Sequence, residues 1–180
     1  MRNSTKSILH TFIRRVSANR GFSLIELLIY IAVLAFVLLA VSQIFLIVIR
    51  MRAQNNARFT VNENGRVVVG KVRDTILDAA SASVSGVCPA NSLTLTSGAN
   101  TTVYQITNGV FEVVENGGPA KALTSSQVVA SATAGCLFAK IENPVPAKPT
   151  VQTKLRITYN SPGNPITEIS QEYEITVSLR

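Results

Sequence analysis

The feature that most constrains this chain is an apolar run at residues 27–49, whose only clearly polar members are Ser42 and Gln43. Seventeen of its 23 residues are Leu, Ile, Val or Phe. As an α-helix the run would be about 34 Å long, enough to cross a hydrocarbon core of about 30 Å. The insertion free energy of these side chains, roughly −0.3 to −0.6 kcal/mol each, outweighs the roughly 3 kcal/mol cost of the acid at its edge, Glu26. We therefore predict one transmembrane helix over residues 22–49.

A cleaved secretory signal and the buried core helix of a soluble protein are the two alternatives to a transmembrane helix. A secretory signal has an apolar core of about 7–15 residues, followed by a small-x-small cleavage site. This run is longer, and the sequence after it, Arg50-Met51-Arg52-Ala53, matches such a site poorly. The favourable insertion energy argues against the soluble alternative.

The basic charge of the chain is concentrated in front of the run. The whole chain has 17 Lys and Arg against 10 Asp and Glu, a formal charge of +7. Residues 1–20 hold five of the cations and no acid, so the remainder is nearly neutral. Cations beside a span favour the cytoplasmic side, although Arg50, Arg52 and Arg58 follow the span. We expect residues 1–21, a leader peptide, to face the cytoplasm, and we expect no nucleic-acid partner because the later domain lacks a basic stripe.

A short motif joins the leader to the apolar run: Arg20-Gly21-Phe22-Ser23-Leu24-Ile25-Glu26. An acidic side chain so close to a bilayer core is costly and usually has a function. A small residue, then an apolar one, with Glu at the fifth place after the small residue, resembles the prepilin leader of type IV pilins and of type II secretion pseudopilins. The resemblance is specific over residues 20–49 and weak elsewhere.

In that family a membrane aspartyl peptidase cuts after the glycine and methylates the new N-terminus. The resemblance implies cleavage between Gly21 and Phe22, N-methylation of Phe22, and an assembly role for Glu26. Cleavage leaves an ammonium beside lipid, where an unpaired charge is very costly. Glu26 could neutralise the amine of its own Phe22 or that of a neighbouring subunit, and the family view favours the neighbour. The plainer alternative is a Glu26 that only snorkels to the interface.

Residues 57–66 also resemble the post-membrane helix of J-type minor pseudopilins and W-like minor pilins. Two departures from the main subunits favour a minor role. Residues 22–88 contain no Pro, whereas major pilins often carry one midway along the membrane helix. The only aspartates are Asp74 and Asp78 on the predicted helix, so the Asp-rich calcium loop of the major pseudopilin is missing. We expect no metal site and no cofactor.

Residues 50–86 are predicted to continue the helix as an amphipathic segment. Its apolar residues recur in steps of three and four, which marks one helical face. That face comprises Phe59, Val61, Val68 or Val69, Val72, Ile76, and Ala79 or Ala80. Asn64-Gly65 interrupts the segment as a possible bend, and Gly86 and Pro89 are expected to end it.

Residues 87–180 are predicted to form an antiparallel sheet of about four to six strands. Asn108-Gly109 between the strand-like runs 102–106 and 110–114 indicates a hairpin. Residues 151–159 and 169–179 alternate between polar and apolar side chains, so one face of the sheet should pack on the helix. Basic residues on the first of these strands should attract acids on the second. The predicted fold class is α+β, a long N-terminal helix packed on an antiparallel β-sheet, as in pilins.

Two cysteines, Cys88 and Cys136, lie in the part predicted to be outside the cytoplasm, where disulfides persist. We expect a disulfide between them, and two small buried thiols are the alternative. A catalytic cysteine is disfavoured because the only histidine, His10, lies in the leader. Hydrolase and nucleotide-binding motifs are also missing, so we expect no enzyme.

The resemblance and the residues together predict a minor pilin or pseudopilin, assembled into a type II secretion pseudopilus or a type IV pilus, in initiation or at the tip. Expected partners are other such subunits, the prepilin peptidase, the inner-membrane assembly platform and the lipid bilayer, with no small-molecule ligand. The chain should be a single-pass inner-membrane protein with its C-terminal domain extracytoplasmic or in a surface filament. The alternatives are a membrane-anchored extracytoplasmic binding module and a competence pseudopilin for DNA uptake.

Overall fold

The computed structural model describes residues 23–133, 135–161, 163 and 167–180. In these residues one helix, α1 (Leu24–Asp78), precedes nine strands. The strands are β1 (Ser81–Ser85), β2 (Ser92–Ser97), β3 (Asn100–Thr107), β4 (Val110–Glu115), β5 (Lys121–Ala122), β6 (Val128–Ala132), β7 (Phe138–Ile141), β8 (Thr150–Tyr159) and β9 (Ser170–Ser178). The fold is α+β and pilin-like, with one long helix packed on antiparallel sheets, and the predicted fold class is confirmed.

The chain divides into two compact units, the first ending at Leu46 and the second spanning Ile47–Arg180, and α1 contributes to both. In the first unit every described side chain is exposed, including Leu24 at 81% and Phe36 at 74%. A helix that is apolar all round is stable in lipid or among other apolar helices, not in water. This part of α1 is long and apolar enough to cross a membrane.

In the second unit α1 buries one face. The buried residues are Ala57, Thr60, Val61, Asn64, Gly65, Val68, Val72 and Ile76. The predicted face was correct at Val61, Val68, Val72 and Ile76 and wrong at Phe59, whose side chain is 67% exposed. Phe59 lies two residues before Val61, which is about 200° around the helix and therefore on the opposite side.

The helix ends earlier than the predicted segment 50–86. It stops at Asp78, and residues 81–85 form β1, which pairs antiparallel with β2. The Ala80 amide already donates to the Thr96 carbonyl at 2.8 Å, so the backbone joins the sheet within two residues of the helix end. The small, polar side chains of this segment show no clear strand pattern. The segment is a strand because its backbone hydrogen-bonds to β2.

Sheet A is an antiparallel meander in the order β1-β2-β3-β4-β5. The predicted hairpin joins β3 to β4, with Thr107 opposite Val110. Both turn residues have positive φ, 51° at Asn108 and 79° at Gly109. A two-residue turn of this kind requires positive φ at both positions, which explains the Asn-Gly sequence.

Sheet B is built around β8. Strand β9 pairs along one edge of β8, while β6 and β7 share its other edge. Leu155 and Ile157 are buried, as the alternation predicts, and the intervening Lys154 and Arg156 face outward. The sequence predicted one sheet of four to six strands, but the described residues form two sheets with nine strands in total. The additional strands include β1, β5 and β6, which arise from segments without a clear strand pattern.

One hydrophobic core joins the second half of α1 to both sheets. Its largest side chains are aromatic: the rings of Tyr104 and Phe111 lie 6.0 Å apart, and those of Phe111 and Phe138 lie 6.3 Å apart. Burial of this apolar area stabilises the second unit. The Tyr104 hydroxyl lies 2.7 Å from the Thr75 hydroxyl, so the buried phenol is hydrogen-bonded to α1.

Candidate processing and assembly segment

The helix begins at the motif that the sequence singles out. The Leu27 amide donates to the Ser23 carbonyl at 3.1 Å, so Ser23 is the residue that caps α1. Glu26 lies in the first turn, where a negative charge interacts favourably with the helix dipole. Gly21 and Phe22, the predicted cleavage and methylation residues, lie outside the described residues.

Glu26 is exposed and is held by a neighbour on its own helix. The Tyr30 hydroxyl donates to Glu26 Oε1 at 3.2 Å. No sequence motif marks Tyr30, although its position four residues after Glu26 places both side chains on one helical face. Tyrosine is also favoured where apolar and polar surroundings meet. The arrangement presents an exposed carboxylate at the start of an apolar helix, where it can accept hydrogen bonds from an ammonium group.

The two cysteines lie far along the chain from this segment and form a structural crosslink. Cys88 and Cys136 are joined by a disulfide, with their Cα atoms 4.7 Å apart. Next to it the Asn91 amide pairs with the Phe138 backbone, donating to its carbonyl at 2.7 Å and accepting from its amide at 2.9 Å. Asn91 is buried, and no sequence pattern marks its role.

The charged groups of the second unit also connect elements. Glu115 lies 2.9 Å from the Lys121 ammonium and 3.7 Å from that of Lys71 on α1. The hydrogen bond and charge of Lys121, with the charge of Lys71, lower the pKa of Glu115. Burial raises the pKa of Tyr104. In the described part of the chain no three His, Cys, Asp or Glu side chains are grouped so that they could hold a metal ion.

Comparison with known protein families gives a match at the N-terminal part of the chain. The family described as the prokaryotic N-terminal methylation motif matches residues 16–42, which include Gly21, Phe22, Glu26 and Tyr30. No curated protein and no solved structure matches the chain. The motif and the apolar helix fit a single-pass membrane anchor and a substrate of prepilin peptidase, and prepilin-like proteins are structural subunits rather than enzymes. The resemblance to prepilins is therefore confirmed: residues 16–42 carry the N-terminal methylation motif, the hallmark of type IV prepilin-like proteins.

Proposed function

We propose that this chain is a minor subunit of a type II secretion pseudopilus or a type IV pilus. The observation that carries the proposal is the exposed Glu26 carboxylate in the first turn of a helix that is apolar all round. No described residue covers the apolar part of α1 that precedes residue 47. Lipid would surround it before assembly, and the helices of other subunits would surround it in a filament.

The proposed processing step creates the charge that Glu26 would neutralise. Hydrolysis of the Gly21–Phe22 peptide bond leaves an ammonium on Phe22, and methylation of that nitrogen keeps its positive charge. An ammonium at a helix N-terminus is unfavourable because that end of the helix dipole is already positive. The Glu26 carboxylate of a neighbouring subunit would offset this cost in an apolar filament core. The hydrogen bond from Tyr30 would keep that carboxylate in place.

The minor role rests on what distinguishes this chain from main subunits. Residues 22–88 lack the proline expected in a major pilin. Asp74 and Asp78 both lie on α1, so they do not form an Asp-rich calcium loop. In this proposal the leader faces the cytoplasm, and the domain of residues 87–180 lies outside the inner membrane. The assembly platform in that membrane would be the partner that adds the chain to the filament.

The processing step is tested by the intact mass and N-terminal sequence of the protein extracted from its native membrane. We expect a chain that starts at Phe22 and carries one extra methyl group. A start at Met1 in a strain with active prepilin peptidase would contradict the proposal. A start beyond residue 49 would identify a cleaved secretory signal instead.

The assembly role is tested by Glu26→Ala. We expect this variant to insert into the membrane and to be processed normally, but to enter filaments on the order of tenfold less efficiently, because the Phe22 ammonium loses its counter-charge. Glu63→Ala is the matched control, since it removes an exposed glutamate from the same helix beyond the apolar run. Normal assembly of the Glu26 variant would contradict the proposal that Glu26 neutralises the Phe22 ammonium.

A second candidate function is that of a membrane-anchored extracytoplasmic binding module. It is favoured by the outer edge of β9, with which no described strand pairs. Such a module would tolerate the loss of Glu26, so the assembly experiment separates the two functions.

A further inference from the structure

Sheet B ends in a long strand whose outer edge is unpaired within the described part of the chain. Strand β9 has nine residues, and among the described strands it pairs only with β8. At the opposite edge of the sheet, the Ala130 amide of β6 donates to the Gly109 carbonyl of the β3–β4 turn at 2.7 Å. An exposed strand edge is a template for another strand, and proteins usually shorten or cover it. The β9 edge is neither short nor covered by a described element.

The register identifies the backbone groups that face outward. The Tyr159 amide donates to the Ile169 carbonyl at 2.8 Å, and the Leu179 amide donates to the Pro149 carbonyl at 3.1 Å. Hydrogen-bonded pairs alternate along an antiparallel ladder, so the odd-numbered residues of β9 bond to β8. The even-numbered residues therefore direct their amide and carbonyl groups to the open edge: Ser170, Glu172, Glu174, Thr176 and Ser178.

Strand β9 also carries two acids that pair with basic residues of β8. On the outer face, Arg156 of β8 bonds to Glu172, and Lys154 lies 3.7 Å from Glu174. The contacts of both carboxylates with described residues reach Oε1, which leaves Oε2 of each available to a further donor. A third strand with cations at these two positions would continue the alternation of charge and pair with both acids.

The other face of β9 is apolar and only partly covered. Tyr173, Ile175 and Val177 are half-buried on the core side of the sheet. Near the start of the strand an open cleft of about 330 Å³ lies between α1 and β9, lined by Arg58, Val61, Asn62, Ile169, Ser170 and Gln171. An added strand could therefore place apolar side chains beside those of β9 without displacing the helix.

We propose that the β9 edge binds an extended segment of another protein by strand addition, and that this segment alternates basic and apolar residues. Backbone hydrogen bonds would supply affinity, and the two acids would select the basic face of the partner. This interaction goes beyond membership of a filament and does not require it.

A second copy of the chain is a poor occupant of this edge. Antiparallel pairing of two β9 strands centred on Glu174 sets the two Glu174 side chains directly opposite each other. Like charges directly opposite destabilise a strand pair. Charge therefore favours a basic partner over self-association.

The test uses the full-length protein, labelled with ¹⁵N, in a non-ionic detergent. The probe is a nine-residue peptide of alternating Lys and Val with blocked ends, and the control peptide has Glu in place of Lys. In the free protein, we expect the five outward amides of β9 to exchange with solvent faster than the amides of Tyr173 and Ile175. The Lys peptide should slow the outward amides at least tenfold, and the Glu peptide should leave them unchanged.

Two variants test the contacts. Glu172→Lys with Glu174→Lys should weaken peptide binding by about tenfold or more, because each attractive cross-strand pair becomes a like-charge pair. Glu63→Lys with Glu142→Lys makes the same change in net charge elsewhere and should bind normally. Thr176→Pro removes one outward amide but no hydrogen bond to β8, so it should weaken binding while the sheet stays folded. The proline variant remains informative if the charge-reversed protein does not fold.

Three results would overturn the proposal. The first is equal protection by the Lys and Glu peptides, which would remove the role of charge. The second is no protection by the Lys peptide. The third is protection of the outward amides that rises with protein concentration in the absence of peptide, which would assign the edge to a second copy.

Discussion

At the scale of single residues, the pair Asn64-Gly65 has a packing role. The sequence marks it as an interruption of α1, yet the helix is continuous through it. Gly65 lies against the Tyr173 ring, whose hydroxyl donates to Asn62 Oδ1 at 3.2 Å. Asn64 Oδ1 accepts the Ser125 amide at 2.8 Å. Both residues therefore join the helix to chain segments that are distant in sequence.

Gly65→Ala is expected to lower the free energy of unfolding by about 1–3 kcal/mol, because its Cβ would collide with the Tyr173 ring. Gly70→Ala is the matched control: its Cβ meets nothing within 4 Å, and alanine favours a helix over glycine by up to about 1 kcal/mol. Urea unfolding in detergent, followed by near-ultraviolet circular dichroism, measures both. If the two variants are stabilised alike, the contact between Gly65 and Tyr173 does not constrain the fold.

The carboxyl group of Glu115 should titrate below its ordinary pKa of 4.5, because Lys121 hydrogen-bonds to it and Lys121 and Lys71 attract its charged form. A pKa that is lower in the folded state than in the unfolded state stabilises the fold at pH values above the pKa of the unfolded state. This contribution disappears as the pH falls through the pKa of the folded state. The effect on stability should be small since the group is exposed. An NMR titration should show the pKa of Glu115 rising in Lys121→Gln and unchanged in Lys140→Gln. An identical midpoint in the wild type and Lys121→Gln would show that the ion pair does not form in solution.

At the scale of elements, a small crosslinked region adds to the contacts that the shared core makes between the two sheets. The disulfide from Cys88 to Cys136 closes 48 residues of chain. Beside it the Leu137 amide donates to the Pro89 carbonyl at 3.0 Å, and Asn91 pairs with the Phe138 backbone. The segment before β2 is thus fastened to the segment that enters β7.

Replacement of both cysteines by serine should lower the free energy of unfolding by about 2–4 kcal/mol, because the unfolded chain regains the entropy that the closed loop removes. Reduction of the wild-type protein should lower its urea midpoint to that of the double variant. Reduction of the double variant should leave its midpoint unchanged. A wild-type midpoint that does not respond to reduction would show that the crosslink is not formed in the native protein.

At the scale of the whole molecule, the two units differ in whether their described apolar side chains are buried. The second unit has its own core between α1 and the sheets. The first unit exposes all of its described apolar side chains, so it must be covered by lipid or by other helices. The apolar helix and the methylation motif fit a single-pass membrane anchor, although most residues of the chain belong to the second unit.

The full chain is expected to remain in the membrane pellet after washing with high salt and with alkaline carbonate, and to be released by detergent. Salt screens the attraction of cations to lipid headgroups but does not weaken burial of an apolar helix. Immunoblots of pellet and supernatant measure the outcome. Release by carbonate alone would show that the helix lies on the membrane surface or that the protein is only peripherally attached.

The local and periodic features of this protein are determined by its sequence. In lipid the apolar run has to be helical, because lipid offers no partners for backbone polar groups. The alternation in β8 and β9 fixes which side chains face the core, and Asn108-Gly109 fixes the hairpin because few residues accept positive φ. The motif at Gly21, Phe22 and Glu26 is also local, and the family match includes it.

Other features depend on contacts between residues that are distant in sequence, and only the tertiary structure decided them. The end of α1 at Asp78 is set by the pairing of β1 with β2, not by the propensity of residues 79–86. Phe59 is exposed because the sheets contact the opposite side of the helix. Among the described residues the outer edge of β9 is unpaired, because β6 and β7 pair with the other edge of β8. Sequence periodicity assigns residues to a face of an element, whereas the neighbours of that face follow from packing of the whole chain.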